Sequence, residues 1–178
     1  MGPLRFRMRP DMTSRSAFIA ALCADRPAPD RAEKMRLYGW LLGSWRMDAS
    51  TFAPDGTKHN GQGEIHFAWA LEGRAIQDVW ILPGVFYGTT LRIYDPGMDA
   101  WHILWSDPLR QFYASQIGRA RGPDIVQEGT DSTHAPIRWT FTDITPNSFR
   151  WLGERSDDGG KTYWRQAEFF ATRVSAGD

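Results

Sequence analysis

From Ser44 onward, apolar side chains recur at every second position and turn-forming residues break the pattern at short intervals. No other feature constrains the fold as much. A period of two belongs to strands, whose successive side chains point to opposite faces. The breaks are Pro54 to Gly56, Glu72-Gly73, Pro83-Gly84, Asp95 to Gly97, Asp107-Pro108, Gly118 to Gly122, Pro146-Asn147 and Asp157 to Gly160. Between them lie strand-like segments such as Glu64 to Trp69, Ala75 to Ile81, Thr89 to Tyr94, Trp101 to Trp105, Ile137 to Thr142 and Phe149 to Leu152. About nine or ten strands with no helical stretch between them predict a mainly β protein, an antiparallel meander. An open sheet of that many strands would leave two pairing edges exposed, so closure into a barrel of roughly 8–10 strands is expected.

One or two helices are predicted ahead of the strands. Residues 1–12, with Arg5, Arg7, Arg9, Pro3 and Pro10, read as a disordered arm, and residues 13–178 as one domain. Ser14 to Ala24 reads as a short helix ended by Pro27 and Pro29, and Asp30 with Glu33 has the spacing of a capping box. A second helix should run from about Arg31 to Leu42, with Met35, Tyr38, Leu41 and Leu42 on one apolar face. The apolar stretch Ala17 to Ala24 is short for a signal peptide and lacks a clear cleavage site, so a cytoplasmic location is expected.

Composition removes several function classes. Lys and Arg number 21 against 21 Asp and Glu, and a net charge of zero argues against nucleic acid as a partner. No apolar run is long enough to span a membrane. His59, His66, His102 and His134 are scattered without metal-ligand spacing, so neither a metal nor haem nor another cofactor is expected. A nucleophile elbow, a phosphate-binding loop and a dinucleotide fingerprint are all missing from the sequence. Cys23, on the apolar stretch of the first helix, is expected to be a buried, inert thiol.

Alternation then assigns faces. Ile65, Phe67, Trp69, Val79, Ile81, Leu91, Ile93, Trp101, Ile103, Trp105, Ile137, Trp139, Phe141, Phe149 and Trp151 should face inward. Glu64, His66, Asp78, Arg92, His102, Glu128, Arg138, Arg150, Glu154 and Glu168 should face out. Trp80, Leu104, Leu152, Trp164 and Phe170 share that outer face, where they either lie under the helices or form a homodimer contact. The same alternation sends Gln77, Thr89, Gln111, Tyr113, Gln127, Tyr163 and Arg165 inward, where buried polar groups need partners.

Tryptophan rings with a few polar groups match the lining of a small-molecule pocket. The expected ligand wall is Trp69, Gln77, Thr89, Trp101, Trp105, Gln111, Gln127, Trp139, Trp151 and Tyr163. The first reading is a protein that binds a small aromatic or apolar molecule. The alternative is a cofactor-independent lyase, isomerase or cyclase acting in the same cavity. There Tyr113 would donate to an oxyanion and Arg165 would hold a carboxylate or phenolate, with His102 and Asp78 joining only if a bulge reversed their faces. A third reading is an interaction module built on Trp80, Leu104 and Trp164.

The stretch Leu42, Gly43, Ser44, Trp45, directly after a helix and before the meander, resembles the Gly-x-Trp signature that opens lipocalin and other calycin barrels. Pro54 to Gly56, Gly63 to Arg74, Leu91 to Pro96 and the closing strand are similar to a bacterial lipocalin-like family, over residues 38–173. The resemblance implies a barrel with a ligand cavity whose base Trp45 would close. It brings no catalytic motif. The chain departs from secreted lipocalins in its N-terminal helices and in lacking a signal peptide or disulfide. Ser156 to Tyr163 resembles the Asp-box hairpin of sialidase-type propellers. It occurs once, which predicts a turn between the last two strands rather than a propeller.

Overall fold

The computed structural model describes residues 14–175. The chain begins with α1 (Ser14–Leu22), a two-residue strand β1 (Cys23–Ala24), a 3-10 turn (Pro29–Arg31) and α2 (Ala32–Gly39). Ten longer strands follow: β2 (Gly43–Phe52), β3 (Lys58–Ala70), β4 (Ala75–Leu82), β5 (Phe86–Asp95), β6 (Ala100–Asp107), β7 (Phe112–Arg121), β8 (Asp124–Asp131), β9 (Pro136–Thr142), β10 (Ser148–Arg155) and β11 (Trp164–Arg173). From β2 on, each strand pairs antiparallel with the next, and β11 returns to β2 with Arg173 opposite Trp45 and Ala167 opposite Thr51. The meander is therefore a closed barrel. β1 pairs with Trp69 and Ala70 of β3, just past the point where β2 begins opposite Phe67. The expected arm lies outside the described residues. Cys23 is exposed rather than buried, because β1 sits at the barrel's margin.

Helix α2 closes one end. Met35, Tyr38 and the following Leu41 are fully buried, and Tyr38 contacts Trp101 of β6 at 4.9 Å and Phe141 of β9 at 6.2 Å between ring centroids. Its hydroxyl accepts a hydrogen bond from Gln127 Nε2 of β8 at 2.9 Å. The ring thus touches the inside of the wall from several strands. Gly118 of β7 makes that approach feasible, since a Cβ there would come within 2.3 Å of the Tyr38 oxygen. The expected capping box does not form. Asp30 instead pairs with Arg74 at 2.8 Å, and no side chain caps α2. An eight-residue helix is too short to persist alone, so the plug owes its order to packing.

Trp45 stands where the Gly-x-Trp resemblance places it, fully buried beside the plug. Its Nε1 donates to the Leu41 carbonyl at 2.7 Å, and the Arg173 guanidinium lies over its ring at 4.1 Å. Arg173 also donates to the carbonyls of Leu42 and Trp40, both at 2.6 Å, tying the last strand to the entry of the first. The Asp-box segment forms the turn between β10 and β11, with the Asp158 carboxylate accepting from the Lys161 and Thr162 amides at 2.9 Å.

Burial pushes the Tyr38 phenol up to about 12, partly offset by Arg92 and Gln127. The unfolded phenol titrates near 10, so the folded state keeps its proton longer. This contribution is fully present below pH 10 and is lost as pH rises from there through about 12. Tyr38→Phe is expected to remove a destabilisation on the order of 3 kcal/mol across that window. Urea unfolding at pH 9 and pH 11.5 checks it: equal pH dependence in wild type and variant would contradict the assignment.

Candidate functional site

The end opposite α2 is open, and a cavity of about 320 Å³ runs down from it. Its mouth lies at the end where β2, β4, β6, β8 and β10 turn, since alternate turns of a meander fall at the same end, and Ala53, Val85 and Arg110 of the first three turns line it. Five rings close a circuit of contacts on its wall. Phe86 meets Trp105 at 6.2 Å, Trp105 meets Trp139 at 6.2 Å, Trp139 meets Trp151 at 5.5 Å, Trp151 stacks on Phe169 at 4.9 Å, and Phe169 returns to Phe86 at 5.9 Å. Aromatic pairs of this kind contribute about 0.5–1.5 kcal/mol beyond their burial, so the wall is rigid as well as apolar. Gly88 makes room for it, because a Cβ there would fall within 2.3 Å of the Trp105 ring.

Below the circuit, Trp80 contacts Trp151 at 5.6 Å and Phe67 at 6.0 Å. Deeper still, Arg92 of β5 and Asp78 of β4 form an ion pair, each 1 % exposed. Asp78 Oδ1 also accepts the Thr90 amide at 2.8 Å. The Arg92 guanidinium lies 5.4 Å from the Tyr38 ring, 5.6 Å from Phe67 and 5.8 Å from Phe141. Only an ion pair makes two such charges tolerable in this interior. Nearer the mouth, Asp107 is buried and its Oδ1 accepts the turn amides of Leu109 and Arg110, while Arg110 and His59 are exposed at the cavity entrance.

The residues expected to line a pocket divide into three groups. Trp105, Trp139 and Trp151 line the cavity. Trp69, Trp101 and Gln127 also face inward but belong to the closed end: Trp101 packs on Tyr38, Gln127 bonds it, and Trp69 lies against Gly39. Gln77, Thr89, Gln111, Tyr113, Tyr163 and Arg165 do not face inward. On β4 and β5 the phase is reversed: Ile76, Asp78, Trp80 and Leu82 are buried, as are Phe86, Thr90, Arg92 and Tyr94. Val79, Ile81, Leu91 and Ile93 lie half-buried on the outer wall, where Gln77 donates to the Thr89 hydroxyl at 3.1 Å. A shift of one residue moves a whole strand's side chains to the other face.

Local geometry accounts for the others. The turn before β7 has Gln111 in the left-handed region, so the strand enters with Phe112 inward and Tyr113 exposed, its hydroxyl donating to Gln111 at 3.0 Å. A bulge in β11, where Gly153 faces Ala167 but Glu154 faces Arg165, gives Gln166 a place on the cavity wall. It leaves Arg165 with Glu168 at 3.2 Å on the outer wall. Tyr163 lies outside under the Arg138 guanidinium, 4.4 Å from its ring centre. His102 faces out and meets Asp95 at 3.1 Å. Of the four residues assigned to turnover, only Asp78 is interior. Trp80 is interior too, and Trp164 bonds Asp157 at the open rim at 2.7 Å. Sequence reasoning missed Trp80, Phe86, Arg92, Asp107 and Phe169. Among the described residues no group of three metal-ligating side chains could hold an ion, and no helix is long and apolar enough to cross a membrane.

No protein-family model matches the sequence, and no curated protein matches it either. Solved structures do match in fold. Rv2717c from M. tuberculosis superposes with a TM-score of 0.59 at 14% identity, covering 84% of this chain and 99% of its own. The S-type phycobiliprotein lyase CPES from Guillardia theta gives a TM-score of 0.60 at 14% identity, with the same coverage of 84% and 99%. Together with strand closure, these matches establish the fold: a closed, ten-stranded antiparallel barrel, plugged at one end and open at the other.

Proposed function

We propose that the chain binds a small aromatic or otherwise apolar molecule in the open half of the barrel. The observation that carries this reading is the circuit of five rings around a cavity of about 320 Å³, a volume at the lower end of the range for small-molecule sites. A flat ligand entering it exchanges water for ring faces on several sides, and the rigid wall loses little entropy in holding it. Turnover by Tyr113 and Arg165 is not supported, because both stand outside the barrel. The match to a lyase at 14% identity carries the fold and not an activity.

Titration with N-phenyl-1-naphthylamine tests the reading. Its fluorescence should rise to saturation at one molecule per chain, with quenched tryptophan emission and a raised melting temperature. Ala167, on the cavity wall beside Gly153, has the cavity to grow into. Ala167→Phe is expected to weaken the probe at least about tenfold with the fold intact, as one lost ring contact is worth over about 1.4 kcal/mol. Unsaturable binding, or an unaffected Ala167→Phe variant, would sink the proposal.

A further inference from the structure

The unpaired side-chain oxygens of Gln116 and Gln127 lie off the cavity wall; among the described residues two side-chain N–H groups on that wall have no acceptor, Trp80 Nε1 and Arg92 Nε. Both residues form part of the cavity wall, both are at most 3% exposed, and both contact Phe67 and Phe141. A buried donor in this state has given up its bond to water for nothing, which native interiors rarely accept. The cavity floor is therefore built to meet an acceptor that the protein does not supply.

The charges around it decide what kind. Arg92 is already neutralised by Asp78, so it offers a donor without a net positive charge. Asp107, the other buried charge on the wall, has no ion-pair partner among the described residues. Arg110 is at the mouth but exposed, where water screens it. A ligand carboxylate would add a second uncompensated negative charge to this interior, whereas a carbonyl oxygen accepts the same N–H bonds and adds none. We infer that the cavity selects an uncharged ring compound bearing a carbonyl acceptor, of the ketone, lactone or amide type, and rejects the corresponding carboxylate. The inference rests on the aromatic-cavity reading above and narrows it to a ligand class.

Calorimetric titration with three compounds of one ring skeleton, naphthalene, 2-acetylnaphthalene and 2-naphthoate, separates the two. The ketone should bind about tenfold tighter than the hydrocarbon, and the naphthoate more weakly than either. Trp80→Phe keeps a ring and removes one unpaired donor. It should lower ketone affinity at least about fivefold more than naphthalene affinity, so that the ketone's advantage over the hydrocarbon shrinks. Naphthoate binding as tight as the ketone would overturn the inference, as would a Trp80→Phe variant that weakens all three alike. Equal affinity for ketone and hydrocarbon would also overturn it, because the donors would then be met by water, while the aromatic-cavity reading would stand. Binding of none of the three would overturn both. The wild-type ranking decides the matter even if Trp80→Phe does not fold.

Discussion

Asp78→Ala is expected to lower the melting temperature by roughly 6–20 °C, from a loss of about 3–5 kcal/mol. The size of the effect comes from what is left behind. Arg92 would keep its charge at 1 % exposure, among the faces of Tyr38, Phe67 and Phe141, with its counter-charge gone. Ring faces attract a guanidinium, but by about 0.5–2 kcal/mol, which does not replace a carboxylate. The Thr90 amide would lose its acceptor as well. Replacing both members, Asp78→Leu with Arg92→Met, should recover most of the loss, because an apolar pair of similar volume avoids the desolvation of two ions. Thermal and urea unfolding followed by circular dichroism would measure all three proteins. An Asp78→Ala protein melting within about 2 °C of wild type would mean that the pair does not sit in a dry interior.

The second large effect is expected at the plug. Tyr38→Ala should cost about 3–5 kcal/mol, the range for deleting a buried aromatic ring. Tyr38→Phe, which removes only the hydroxyl and its bond from Gln127, should cost about 1–2 kcal/mol. The difference measures the ring's contacts with Trp101, Phe141 and the Arg92 guanidinium. Equal losses in the two variants would show that α2 rests on the barrel end without being wedged into it. Gly118 offers an independent approach to the same contact, since any side chain there meets the Tyr38 oxygen first.

Much of the architecture was legible from strand periodicity and turn chemistry, and the faces of β9 and β10 followed directly. On β9, Arg138, Thr140 and Thr142 alternate with Ile137, Trp139 and Phe141, so polarity names the inner face without ambiguity. β4 gives no such contrast. Ile76, Trp80 and Leu82 compete with Val79 and Ile81, and polarity favours the wrong set because Asp78 belongs to the true inner one. Asp78 is tolerated on that face because Arg92 of β5 pairs with it, a tertiary fact with no local signal. The site was partly hidden for the same reason. Trp105, Trp139 and Trp151 could be found by alternation, but Trp80 and Phe86 lie on the two strands whose inner faces also carry the ion pair, which blurs their polarity pattern. Arg165 was misplaced by a single bulge, a feature that period-two reasoning cannot anticipate.

The seam between β11 and β2 differs from every other pairing around the barrel. The remaining long strands join neighbours in sequence through short turns, so each can zip up soon after it collapses. The seam must wait for both ends of the domain to meet, and the entropy of bringing them together falls on this one contact. Arg173 sits at that meeting point, stacked on Trp45 and bonded to the carbonyls of Trp40 and Leu42. Arg173 and Trp45, which hold the plugged end together, are thus also the side chains on which the barrel's longest-range strand pairing converges.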